Sequence, residues 1–182
     1  FVKCLNAGQI CTTVDHAWLP QGKIDAFVQA AKAIVPRHFP NLASPDYTSI
    51  IDPRSFDRLL RALDEARERG ATLVPLLPGP AHDAATHKIA PHIVLNAPDD
   101  CALMQREIFG PILPLKGYTS LDTVIEAINA GDRPLAVYPF SHDAHFVQTV
   151  LDRVMSGGVS VNDALFHVAQ HDLPFGGVGA SG

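Results

Sequence analysis

From residue 52 to residue 162 the chain switches repeatedly between helical and strand-like apolar spacing. No other feature narrows its fold as far. Asp52-Pro53 opens the first clear helix. An Asp side chain takes up free N–H groups of a first turn, and Pro fits there because its missing N–H costs nothing. Phe56, Leu59, Leu60 and Leu63 follow as one apolar stripe, with Arg58, Arg61, Glu65 and Arg67 turned outward as a solvated face. Gly70 supplies a left-handed stop. Residues 72–77 read as a strand and residues 89–95 as another; Pro91 in the second predicts an edge position or pairing that begins after it. After the turn at 107–111, residues 112–115 read as a short buried strand. Ser120 caps a helix carrying Leu121, Val124, Ile125 and Ile128, which Gly131 ends. Residues 135–140 form a further strand, and residues 143–155 a helix with Phe146, Val147, Val150, Leu151 and Val154 inward. Gly157-Gly158 then opens the strand 159–162. Such alternation predicts an α/β fold, a mostly parallel sheet with helices on both faces, because parallel neighbours need crossovers.

Ahead of this region, residues 14–19 read as a strand ended by Pro20. Residues 24–35 read as a helix on Ile24, Phe27, Val28, Ala31 and Val35, with Pro36 as its stop, and residues 37–47 as a loop. At the start stands Asn6-Ala7-Gly8-Gln9-Ile10-Cys11. Gly8 permits backbone angles closed to other residues, so the chain can bend sharply and present Cys11 at a loop end. A thiol whose pKa is lowered is already a nucleophile near neutral pH, whereas a cysteine taken alone is often a small core hydrophobe. On the residues themselves Cys11 is either a nucleophile, for instance of a cofactor-independent esterase or acyl-transfer site with His167 or His171 as base, or a buried residue of a non-catalytic interaction domain. Glu107, in a Gly-Pro turn, can be held by that loop, and taken alone it reads as a surface carboxylate or a cap.

Composition bounds these readings. At 182 residues, 47% of them apolar and 18% charged, the chain is one domain or one domain cut from a larger protein. A net charge of −5 without a basic stripe argues against nucleic acid as a partner. No apolar run approaches the roughly 20 residues that cross a bilayer. Cys4, Cys11 and Cys101 lack metal-site or redox-motif spacing, which predicts a reducing, cytoplasmic setting; Cys4 and Cys101 are assigned to packing. His142/His145 and His167/His171 have no acidic companion placed as in a zinc site, so no metal is expected. The chain opens on Phe1 and stops inside a glycine-rich run, so an excised fragment of a longer protein is expected.

Three segments stand in a telling order: the Cys11 loop, Glu107-Ile108-Phe109-Gly110-Pro111, and the closing Leu173-Pro174-Phe175-Gly176-Gly177-Val178-Gly179-Ala180-Ser181-Gly182, with Asn162-Asp163 between the last two. In this order they resemble the catalytic half of an aldehyde dehydrogenase. Arg133-Pro134-Leu135-Ala136-Val137-Tyr138, Val161-Asn162-Asp163 and Val178 are similar to the branch that includes coniferyl aldehyde dehydrogenases. The resemblance implies oxidation of an aldehyde, aromatic and of the coniferyl type, to its carboxylic acid with NAD or NADP through a Cys11 thiohemiacetal and thioester. It implies that Asn6 holds the nucleophile loop, that Glu107 accepts hydrogen bonds from the nicotinamide ribose, and that Phe109 packs near the nicotinamide. It also implies a homodimeric complete enzyme. The family's general-base Glu, a second oxyanion donor, the dinucleotide-binding domain and the oligomerisation strand have no counterpart in residues 1–182, which are therefore expected to be a catalytic-domain fragment, inactive alone and weak or absent in cofactor binding.

Overall fold

The computed structural model describes residues 1–182. They fall into two compact units, Phe1–Gly117 and Tyr118–Gly182. The expected α/β class holds.

In the first unit, strand β1 (Ala17–Pro20) leads into helix α1 (Ile24–His38). Residues 14–16, expected to belong to the strand, lie outside it, and Thr13 N closes a turn onto the Ile10 carbonyl at 2.9 Å. Helix α1 does not stop at Pro36 but runs on to His38, and Phe39 N bonds the Val35 carbonyl at 2.9 Å. A proline costs a helix its own N–H bond and crowds the carbonyl four residues back, but in the last turn few bonds follow it and the chain can still close the end.

Helix α2 (Pro53–Glu68) forms for the reasons its sequence gives. The Asp52 carboxylate accepts a hydrogen bond from Ser55 N at 2.7 Å, and Pro53 occupies the first turn. Phe56, Leu59, Ala62, Leu63 and Ala66 are buried along one face. Gly70, at φ +94°, turns the chain back, and Ala71 N bonds the Ala66 carbonyl at 2.9 Å.

Strand β2 (Thr72–Pro75) is followed by a small hairpin, β3 (His82–Asp83) with β4 (Lys88–Ile89), and then by strand β5 (His92–Leu95). The stretch expected as one strand is thus two, divided at Pro91. Regular pairing starts directly after that proline, yet β5 is an interior strand and not an edge. The sheet order places β5 between β2 and β6 (Ile112–Tyr118), with β1 on the far side of β6. Helix α3 (Ala102–Gln105) lies between β5 and β6 in the chain. β5 runs parallel to β6, His92 opposite Ile112, and antiparallel to β2, Pro75 opposite His92. Ile93, Val94 and Ile112 are wholly buried, as is Leu59 from α2. Tyr47 joins this core with its hydroxyl donating to the Ile89 carbonyl at 2.6 Å.

In the second unit, helix α4 (Leu121–Ala130), strand β7 (Ala136–Val137), helix α5 (Ala144–Arg153) and strand β8 (Gly158–Val159) alternate. β7 and β8 pair in parallel, Ala136 with Gly158. Both strands are shorter than the expected 135–140 and 159–162. Asp143 caps α5, its carboxylate accepting from His145 N and Phe146 N. Val150 and Val154 pack with Ile125 of α4, but Leu151 faces outward. Ser120 sits at the start of α4 without a side-chain cap bond, and Gly131 ends it in an extended conformation.

Candidate active site

The segment before Cys11 is wound through three successive left-handed residues, Asn6 (φ +49°), Ala7 (φ +51°) and Gly8 (φ +74°). Glycine takes this conformation freely and asparagine with little strain, but an alanine there must be held. Hydrogen bonds hold it. Asn6 Nδ2 donates to the Gln9 carbonyl and Gln9 Nε2 to the Asn6 carbonyl, each at 3.0 Å. Gln9 also ties the bend to the next layer of chain, donating to the Ser49 carbonyl at 3.0 Å and accepting from Ile51 N at 2.9 Å. Ala7 is buried beneath the bend, and Cys11, a free thiol, stands exposed beyond it.

Gly8 is the point at which this loop meets the Glu107 turn. A Cβ on Gly8 would lie 2.1 Å from the Gly110 carbonyl oxygen, so only a glycine allows the two backbones to approach this closely. The turn itself is pinned through Ile108. Its side chain is buried, its N–H donates to Asp15 Oδ1 at 2.9 Å, and its carbonyl accepts from Arg58 Nη2 at 2.7 Å. With Ile108 fixed inward, its neighbours Glu107 and Phe109 stand on the exposed side. Phe109 adopts φ +47°, a conformation an aromatic residue rarely holds unless its surroundings impose it.

The structure therefore brings Asn6, Cys11, Glu107 and Phe109 onto one pair of adjoining loops. It also corrects the reading of Arg58 as part of a solvated face, since its guanidinium is engaged by the Glu107 turn. Asp15, Arg58, Gln9 and Lys3 were not singled out by the sequence. Lys3 lies on the thiol loop with only 7% of its surface exposed, and its Nζ has no hydrogen-bond partner. Burial pushes its pKa down to about 8, against the raising influence of Asp15, Cys4 and Glu107. Cys4 is moved the other way, up to about 11 by burial, and Cys101 is fully buried; both behave as packing residues.

Elsewhere, Asn162 ties two loops of the second unit together: Oδ1 accepts from Ser141 N at 2.8 Å and Nδ2 donates to the Ser141 carbonyl at 3.0 Å. His167 packs beside Tyr138, ring centres 5.8 Å apart.

The model of the aldehyde dehydrogenase family matches residues 1–182. The chain belongs to the aldehyde dehydrogenase family. It is 47% identical over 183 residues to a probable coniferyl aldehyde dehydrogenase of Caulobacter vibrioides, covering 99% of this chain and 38% of that protein. To the coniferyl aldehyde dehydrogenase of a Pseudomonas species it is 45% identical, over 100% of this chain and 38% of that protein. Among solved structures, the substrate-bound state of the Staphylococcus aureus enzyme AldH superposes with a TM-score of 0.91 at 35% identity, over 98% of this chain and 38% of that one. This aldehyde dehydrogenase chain thus spans about 38% of the length of these relatives. No helix in it is long and apolar enough to cross a membrane.

Proposed function

We propose that the chain is the thiol-bearing part of an enzyme that oxidises an aldehyde, of the aromatic coniferyl type, to its carboxylic acid with NAD or NADP. The observation that carries this reading is the exposed Cys11 thiol at the end of a left-handed bend whose Gly8 rests on the Glu107 turn. Exposure is what a nucleophile needs and a packing cysteine does not.

In this reading the Cys11 thiolate attacks the aldehyde carbonyl carbon, forming the S–C bond of a thiohemiacetal. The oxygen, which takes up the displaced electron pair, is stabilised in part by the Cys11 backbone N–H. Asn6 keeps the bend rigid through its bond to the Gln9 carbonyl, so the sulfur need not be reorganised during the reaction. NAD(P)+, when bound, supplies the acceptor for the hydride lost as the adduct becomes a thioester. Water then cleaves the thioester, releasing the acid and returning the thiol.

The residues present fit the nicotinamide end of such a cofactor. Glu107 is an exposed carboxylate able to accept two hydrogen bonds from a ribose diol, and the half-exposed Phe109 ring beside it offers an apolar face. The general base and a second oxyanion donor belong, in this reading, to parts of the protein outside residues 1–182. So does most of the dinucleotide site, and the segment alone is inactive. The complete enzyme is inferred to be a homodimer and, with its cysteines free, to work in the reducing cytoplasm.

Iodoacetamide labelling with peptide mass mapping on the complete protein tests the proposal. Cys11 is expected to be alkylated fastest, aldehyde together with NAD(P)+ to slow it, and Cys11→Ser to abolish aldehyde oxidation. Oxidation that survives Cys11→Ser, or ester hydrolysis at Cys11 indifferent to cofactor, overturns it.

A further inference from the structure

A lysine side chain buried without an acceptor is a poor way to fill space, because a methionine would cover the same apolar surface without desolvating a charge. Lys3 is such a side chain, and it lies where the two loops of the candidate site cross. A Cβ on Gly8 would meet the Lys3 carbonyl oxygen at 3.2 Å on one side and the Gly110 carbonyl oxygen on the other. The Lys3 ammonium, buried and without a hydrogen-bond partner, feels the charges of two carboxylates, Asp15 and Glu107, each tied to the Glu107 turn. Asp15, half-buried, accepts from the Ile108 N–H, and Glu107 is the residue directly before Ile108. Two carboxylates flanking one turn repel each other, and a cation between the strands of chain offsets that repulsion. The other charged or titratable groups in reach are Cys4, whose thiol is held neutral by burial, the exposed His16 beside Asp15, and Arg58, whose guanidinium on the Ile108 carbonyl also faces Asp15 and Glu107 but keeps its charge throughout the pH range tested.

We propose that Lys3 is a positioning residue, the counter-charge that keeps Asp15 on the Ile108 N–H and so holds Glu107 aimed at the nicotinamide ribose. The inference rests on the reading of Glu107 given under the proposed function. It makes cofactor binding depend on a residue that touches neither cofactor nor substrate. Because burial has brought the Lys3 pKa to about 8, the positioning charge is present at neutral pH and is lost on moving to alkaline pH.

The test uses the complete enzyme. Lys3→Met is expected to raise KM for NAD(P)+ by about tenfold or more, with little change in KM for aldehyde or in iodoacetamide labelling of Cys11. Asp15→Asn keeps an acceptor for Ile108 N–H but drops the charge, so adding it to Lys3→Met is expected to recover part of that loss. In the wild type, KM for NAD(P)+ is expected to climb as pH passes through about 8, and this limb is expected to vanish in Lys3→Met. A wild-type KM that stays flat across this range overturns the proposal even if Lys3→Met does not fold. So does a folded Lys3→Met with wild-type KM. Glu107→Gln separates the two readings. If it leaves KM for NAD(P)+ unchanged, the assignment of Glu107 has failed; if it raises KM while Lys3→Met does not, only the role of Lys3 has.

Discussion

At Lys3 the demands of the proposed site oppose those of stability, whereas at Gly8 the two coincide. The Lys3 pKa falls from 10.5 in the unfolded chain to about 8 in the folded one, so between these values the unfolded state binds more protons. Stability therefore rises with pH across that window, and below about pH 8 the full cost of the buried ammonium is present, roughly 3 kcal/mol. Lys3→Met is accordingly expected to raise the melting temperature at neutral pH and to remove the alkaline rise, even as it weakens cofactor binding. Melting curves at neutral pH and near pH 10 check this. Gly8→Ala fails in the opposite sense. The new Cβ would meet a backbone oxygen at 2.1 Å, and φ +74° adds about 1–2 kcal/mol of strain, so the two loops must part. A loss of about 100-fold or more in kcat/KM is expected, with a lower melting temperature. The bend before Cys11 was legible because its geometry is local: a glycine and an asparagine turn the chain just before the thiol. Lys3, Asp15 and Arg58 were not, because the Asp15 and Arg58 partners lie 93 and 50 residues away along the chain and no short pattern announces them.

Helix α2 carries the site as much as the loops do. Arg58 bonds the Ile108 carbonyl, and a Cβ on Gly110 would meet the Leu59 side chain at 2.6 Å, so consecutive residues of one helix fix the turn from beneath. Weakening the helix should therefore reach the chemistry. The Asp52 carboxylate that caps it has its pKa lowered chiefly by the Ser55 N–H bond, so its contribution is present above the usual carboxylate range and is lost as pH falls through the lowered value. Asp52→Ala is expected to lower the melting temperature by about 2–4 °C at neutral pH, with the difference closing in acid. Both ends of α2 were readable because caps and glycine stops act within one turn. The strands were read less well. Residues 14–16 leave the sheet so that Asp15 can reach Ile108, and Pro91 divides one apolar run between a hairpin and an interior strand. In each case a distant partner sets where the strand begins, and apolar alternation carries no record of it.

For the molecule as a whole, the question is which parts of the reaction residues 1–182 can support. Alternating apolar spacing was enough to read the α/β class, and three short motifs in order were enough to read the family, because each rests on several residues close together in sequence. The chemistry divides less evenly. The first unit holds the exposed thiol, the bend that presents it, and the turn carrying Glu107 and Phe109. In the proposed reading the base that activates water and most of the dinucleotide site lie elsewhere in the protein. A thiol needs only exposure to be alkylated, whereas protection by NAD(P)+ needs a bound cofactor and turnover needs the base as well. The isolated chain is therefore expected to be labelled by iodoacetamide at Cys11 at a rate that NAD(P)+ and aldehyde leave unchanged, and to release no NAD(P)H. The complete enzyme is expected to show both protection and release. Stopped-flow fluorescence for NAD(P)H, run beside mass-mapped labelling on the two proteins, reads all four quantities. Release of NAD(P)H by the isolated chain would place a working base within residues 1–182, and slowed labelling there would place a sufficient cofactor site in it; either result would redraw the division of labour proposed for this protein.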